Sequence, residues 1–121
     1  MGDLTIDLLQ DRGMVWIGAR GEIDLFTAPE LKESLARAVA DSGRDVVLDL
    51  CEVAFIDSTG LSLLLNAQRR LIRQHRRFLI VCPDGQVLHT LRLTGVAQGF
   101  PIYPSGRALR SELAGSGSFA A

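Results

Sequence analysis

Apolar and polar residues alternate through Leu4-Thr5-Ile6-Asp7-Leu8, the two-residue period of a strand with one buried face. A polar Gln10-Asp11-Arg12 turn and Gly13 lead into Met14-Val15-Trp16-Ile17, a second strand, so the two are expected to pair as a hairpin. The period then changes. Ala28, Leu31, Leu35, Ala38 and Val39 recur at helical spacing. Thr27-Ala28-Pro29-Glu30 predicts how that helix starts: Thr27 as cap, Pro29 in the first turn and Glu30 completing a capping box. Gly43 closes it. Asp45 to Leu50 is mostly apolar and reads as a buried strand. A second helix is expected from Asp57-Ser58-Thr59-Gly60, with Leu61, Leu64, Leu65, Leu71 and Ile72 inward. Arg69, Arg70, Arg73, Arg76 and Arg77 lie largely off that stripe and read as a solvated face, with an acidic partner as the alternative. Phe78 to Val81 is a further strand. Asp84 is expected to cap a short helix carrying Val87, Leu88 and Leu91, ended by Gly95. Gly99 to Tyr103 gives a short last strand, and Ser105 caps a last helix with Ala108, Leu109 and Leu113.

A hairpin followed by alternating helices and strands predicts an α/β domain. Its mixed sheet of four to five strands is antiparallel at the start, parallel where helices cross over, and packed by amphipathic helices. The chain of 121 residues is one domain's worth. We expect a single domain over 1–113 and a flexible tail over 114–121, where small and polar residues dominate.

Charge sharpens this reading. Residues 1–57 hold 12 acids and 5 bases, while residues 58–121 hold 2 acids and 8 bases. The net charge of −1 gives no basic excess for nucleic-acid binding by counterion release. The lopsidedness does supply a polarity that orients a protein partner. The apolar runs are far shorter than the ~20 residues of a membrane span. Met1-Gly2-Asp3-Leu4 carries no secretory signal, so a cytoplasmic protein without membrane insertion is expected. Cys51 and Cys82 are too few for a disulfide scaffold or a zinc site, and both read as buried small hydrophobes.

The chemistry concentrates after the third strand. Phe55-Ile56 leads into Asp57-Ser58-Thr59-Gly60-Leu61, which places a hydroxyl at a helix N-terminus where free N–H groups favour an added anion. Gly60 lets another backbone or a nucleotide approach. Asp57 is placed to orient the hydroxyl. The plain alternative is that Asp57 or Ser58 only caps the helix, as Ser, Thr and Asp commonly do.

Val47-Leu48-Asp49-Leu50 followed by Phe55-Ile56-Asp57-Ser58-Thr59-Gly60-Leu61 closely resembles the STAS family of anti-sigma factor antagonists and sulfate-transporter cytoplasmic domains. Gly21-Glu22-Ile23-Asp24 with Thr27-Ala28-Pro29-Glu30-Leu31 resembles the family's second block. Leu93-Thr94-Gly95-Val96 with Phe100-Pro101-Ile102-Tyr103 resembles its C-terminal one. The resemblance covers about residues 3–112 and implies a partner switch. Ser58 is the implied phosphoacceptor, modified by an anti-sigma factor that is itself a Ser/Thr kinase in its ATP-bound or ADP-bound form. The unmodified antagonist binds that kinase and frees the sigma factor, and a metal-dependent phosphatase restores it. Asp57, Thr59, Gly60 and Leu61 are implied at the partner-facing helix start, and Asp24 as a contact with the partner or its nucleotide. Each has a plainer reading: Asp24 caps a turn, Thr59 caps the helix, Leu61 belongs to the core. Thr59 is also a second candidate phosphoacceptor. Cys51 departs from the small residue usual in the family, with oxidation sensitivity as the possible consequence.

Rival readings remain. A Ser-His-Asp hydrolase needs a base near Ser58, and His75 and His89 both fall on predicted helices, with no Gly-x-Ser-x-Gly turn. No Gly-x-x-x-x-Gly-Lys loop is present, so no enzymatic activity and no cofactor is expected. Two further alternatives are an accessory subunit of a transporter or other regulatory complex, and a small-ligand or nucleotide sensor using the Ser58 loop as an anion site.

Overall fold

The computed structural model describes residues 2–41 and 43–120, with side chains described as far as residue 115. Strands β1 (Leu4–Asp11) and β2 (Met14–Ile23) form the expected hairpin. Its two turn residues, Arg12 and Gly13, have φ of +53° and +75°, the left-handed pair that matches strand twist in tight hairpins. Then follow α1 (Ala28–Ala40), β3 (Asp45–Ile56), α2 (Ser58–Arg73), β4 (Phe78–Val81), α3 (Gln86–Leu93), a 3-10 turn (Val96–Gly99), β5 (Ile102–Tyr103) and α4 (Gly106–Ala120). Of the tail expected over 114–121, the side chains from 116 onward and residue 121 lie outside the described residues.

Among the described residues the strands form one sheet in the order β1-β2-β3-β4-β5, antiparallel between β1 and β2 and parallel thereafter. Each parallel step is bridged by one helix, as a parallel connection requires. Helices α1, α2 and α3 cover one face. There Ile17, Leu31, Leu48, Leu64, Leu71, Ile80 and Leu91 are almost wholly buried. On the other face α4 buries Leu109 against Met14, Trp16, Val47, Leu79 and Val81.

The third strand is longer than its sequence pattern indicates. The mostly apolar run ends at Leu50, yet β3 runs on to Ile56. Two register shifts against β2 explain this. Gly18 pairs with Asp49 and Arg20 with Glu52, so β3 carries an extra residue there, and a second lies between Val53 and Phe55. Each bulge turns the strand, so Leu50, Val53 and Ile56 all reach the core at a three-residue spacing. The first bulge also corrects the expected burial of Cys51, which is exposed, whereas Cys82 is buried as expected. Desolvation, then a hydrogen bond to Asp49, pushes the Cys51 thiol up to about 12, and burial pushes Cys82 to about 11. Both shifts favour the protonated thiol over the more reactive thiolate.

Other local expectations are also corrected. On α2 the buried stripe is Gly60, Leu61, Leu64, Ala67 and Leu71, while Ile72 is exposed. The stripe drifts with the 3.6-residue period, which puts Ala67 inside and Ile72 outside. Arg76 is not part of a solvated face. It is buried after the helix end and donates from Nη1 to the Val39 carbonyl (2.8 Å) and from Nη2 to the Ala38 carbonyl (2.7 Å), with Nε on the Arg44 carbonyl. It thus satisfies the last carbonyls of α1, which no helical N–H can reach. Asp84 does not cap α3, because Gly85 with φ +152° takes the cap position and pushes Asp84 outside. The last strand is shorter than expected, since the 3-10 turn takes up Gly99. Ser105 does cap α4, accepting from the Ala108 N–H at 3.0 Å.

Candidate functional site

The carboxyl ends of the parallel strands β2 and β3 lie side by side, with Ile23 opposite Ile56. One residue further on, the Asp57 N–H donates to the Ile23 carbonyl (3.1 Å) and α2 begins. Asp57 is the N-cap. Its backbone is extended, and its Oδ1 accepts from the N–H groups of Thr59 (2.9 Å) and Gly60 (3.3 Å). The carboxylate therefore satisfies two donors that a helix start leaves free, and it lies where the helix dipole favours negative charge.

That settles the division of labour at this turn. Asp57 caps, and Ser58, the first helical residue, is exposed with no side-chain hydrogen bond among the described residues. Thr59 is half-buried. Gly60 and Leu61 point inward. A Cβ on Gly60 would lie 2.6 Å from Ile23 Cγ2 and 2.8 Å from Ile56 Cγ1. The missing side chain at Gly60 thus admits the strand ends rather than an incoming group, and Leu61 packs in the core. These two residues set how closely the helix start, and with it Ser58, is held to the sheet.

The structure brings Asp24 to the same end of the sheet, in the loop between β2 and α1. Its Oδ1 accepts from the N–H groups of Phe26 (2.9 Å) and Thr27 (3.0 Å). Thr27 is buried and completes the loop, its hydroxyl donating to the Glu22 carbonyl (2.8 Å) and accepting from the Asp24 N–H (2.9 Å). The expected capping box at Thr27 and Glu30 is absent: Thr27 makes no side-chain bond to the helix. Its hydroxyl is already committed to the strand end. Pro29 does stand in the first turn, as expected.

The braced loop holds Leu25 and Phe26 out into solvent at 66% and 69% exposure, and Phe55 at the end of β3 is 42% exposed. These three bulky apolar side chains are left in water on the segments that end β2 and β3, close in sequence to Asp24 and Ser58. Periodicity missed these residues because they belong to a loop and a bulged strand. The one sequence signal was the adjacent pair Leu25-Phe26 between a strand end and a helix start. His75 lies exposed in the turn after α2, with φ +58°, rather than on a helix. His89 lies exposed on α3, and no hydrogen bond joins either to Ser58. Among the described residues no group of three His, Cys, Asp or Glu side chains could hold a metal, and no helix is long and apolar enough to cross a membrane.

The fold and site define a class: a small mixed α/β domain that offers a free serine hydroxyl at a helix start, beside an apolar rim. Residues 5–108 match the sequence profile of the STAS domain, and the chain belongs to the STAS domain family. Over 100 residues it is 30% identical to the anti-sigma-F factor antagonist RsfB of Mycobacterium tuberculosis, covering 83% of this chain and 81% of that protein. The crystal structure of an anti-sigma factor antagonist from Mycobacterium paratuberculosis matches with a TM-score of 0.81 at 32% identity, over 89% of this chain and 92% of that one. The unphosphorylated form of the antagonist SpoIIAA shares the fold, with a TM-score of 0.70 at 17% identity over 91% of this chain and 97% of that one.

Proposed function

We propose that this chain is an anti-sigma factor antagonist whose unmodified form binds an anti-sigma factor kinase in the cytoplasm, releasing a sigma factor, and which phosphorylation of Ser58 switches off. A metal-dependent phosphatase resets it. The chain is substrate and ligand of the kinase and catalyses nothing itself. The carrying observation is the free, exposed Ser58 hydroxyl on a helix start that Asp57 already caps. The names of the relatives above support the same reading.

The physics of the switch follows from that turn. A phosphoryl group on Ser58 adds about −1.5 to −2 charges. Asp57 already uses the N–H groups of Thr59 and Gly60, so the new charge meets a neighbouring carboxylate with those donors occupied. On the free protein, solvent screens that repulsion. Against a partner seated on Leu25, Phe26 and Phe55 the charge is desolvated. A loss of ~3 kcal/mol there weakens binding more than about 100-fold. Asp24, Asp57 and Thr59 border the contact, while Gly60 and Leu61 shape it from beneath.

The test is a pull-down from a lysate of the source organism with the wild type and Ser58→Asp as baits, bound proteins being identified by mass spectrometry. A kinase-like ATPase held by the wild type and lost with Ser58→Asp supports the switch. The same transporter subunit on both baits, or no partner on either, overturns it.

A further inference from the structure

The two edges of the sheet are built differently, and we propose from this that two copies of the chain associate by antiparallel pairing of their β1 strands, with the two-fold axis at Leu8. Edge strands present unpaired N–H and C=O groups, and proteins blunt them with short length, proline, bulges or charge. The β5 edge is blunted: it has two residues, Ile102 and Tyr103, between Pro101 and Pro104. The β1 edge is eight residues long, contains no proline or lysine, and pairs with β2 in unbroken register. Its two acids each have an arginine partner within the chain. Asp7 pairs with Arg20 at 3.2 Å, and Asp11 with Arg110, whose guanidinium also lies 4.4 Å above the Trp16 ring.

The Glu22 N–H donates to the Asp3 carbonyl at 3.0 Å. Antiparallel bonding alternates along the strand. The odd residues of β1 therefore bond to β2, and Leu4, Ile6, Leu8 and Gln10 turn their N–H and C=O groups outward. An antiparallel partner must pair outward residue with outward residue, which fixes the parity of the register. The two registers of longest overlap centre on Asp7 and on Leu8. The first sets Asp7 against its own copy, a like-charge pair. The second sets Leu8 against Leu8, Ile6 against Gln10, Asp7 against Leu9 and Thr5 against Asp11, with no like charges directly opposed. The two Leu9 side chains and the two Asp7 side chains become diagonal neighbours, farther apart than a directly opposed pair, and each Asp7 keeps its own Arg20. Leu8 and Leu9 are 44% and 60% exposed, and both border a groove of about 270 Å³ against Val15 and Ala38. A second copy is thus the occupant whose pattern fits the edge. Strand pairing of this size lies at the small end of protein interfaces, so the dimer forms reversibly. The strand ends that carry Ser58 stay uncovered, because the contact is centred on the middle of β1.

Sedimentation velocity of the full chain over a concentration series tests this. The expected result is a shift from one chain of 13.1 kDa to twice that mass and no further, with the amides of Ile6, Leu8 and Gln10 gaining hydrogen-exchange protection as concentration rises. Leu8→Pro removes an outward N–H without touching the hairpin bonds, and is expected to weaken the dimer at least ~tenfold. Leu9→Lys alters an exposed side chain and serves if the proline variant fails to fold. A single-chain mass at every concentration overturns the proposal. So does a dimer that persists undiminished in the folded variants, or a series that grows beyond two copies.

Discussion

The starts of α1 and α2 use the same residue types in opposite ways. At α1 an aspartate, Asp24, and a hydroxyl, Thr27, are both consumed in holding the chain. Thr27 is buried, its oxygen donates to one carbonyl and accepts from one N–H, and nothing of it is left for chemistry. At α2 the carboxylate alone does the capping, and the Ser58 hydroxyl stands in solvent with no hydrogen-bond partner among the described residues. The difference lies in which oxygen the fold uses. A hydroxyl that stabilises the fold cannot be modified without cost. One that stabilises nothing can be phosphorylated and restored while the fold stays as it is.

The comparison is broken most forcefully by adding charge at Ser58. Ser58→Asp is expected to lower affinity for the kinase more than about 100-fold with the thermal midpoint nearly unchanged, by calorimetry and a melt on the same sample. Unchanged affinity would mean that charge at the helix start is not the switch. The next effect is on stability, at the other helix. Thr27→Val keeps the shape but strips the hydroxyl from a buried position, leaving the Asp24 N–H and the Glu22 carbonyl without it. A cost of about 2 kcal/mol is expected from the denaturant midpoint. Kinase binding should weaken too, because the loop that presents Leu25 and Phe26 loses its brace.

Much of this contrast was hidden in the sequence. Element order, the hairpin, the buried stripe of α1, the Ser105 cap and the place of Asp57 and Ser58 were all legible, because each rests on local period or on a cap residue next to it. Which of two adjacent cap residues does the capping was not. Asp57 and Ser58 are both good N-caps, and the choice depends on the bulged approach of β3 and the bond from Asp57 to Ile23 on another strand. The Thr27 capping box failed for the same kind of reason, since a strand end across the loop competed for the hydroxyl. Arg76 looked like one more solvated arginine because its carbonyl partners lie more than 30 residues away. Leu25, Phe26 and Phe55 were missed because exposed apolar loop residues have no period to read.

Two smaller predictions separate the neighbours themselves. Asp57→Ala removes the acceptor for the Thr59 and Gly60 N–H groups and is expected to cost about 1 kcal/mol. If the midpoint does not move, water satisfies those donors as well as the carboxylate does.

Ser58→Ala is the weakest perturbation and the sharpest. A cap serine replaced by alanine costs up to about 2 kcal/mol, but here the cap is the residue before it. Alanine also has the higher helix propensity, so the two small terms act in opposite directions. The net change should stay within about 0.5 kcal/mol, the range of an ordinary surface substitution. The protein should fold, bind the kinase and take up no phosphate. A loss of 1 kcal/mol or more would show that the hydroxyl carries structural weight in solution, and the contrast with Thr27 would fall. Phosphate appearing on this variant under kinase treatment would move the acceptor elsewhere, with Thr59, one residue into the same helix and half-buried, as the next hydroxyl to test.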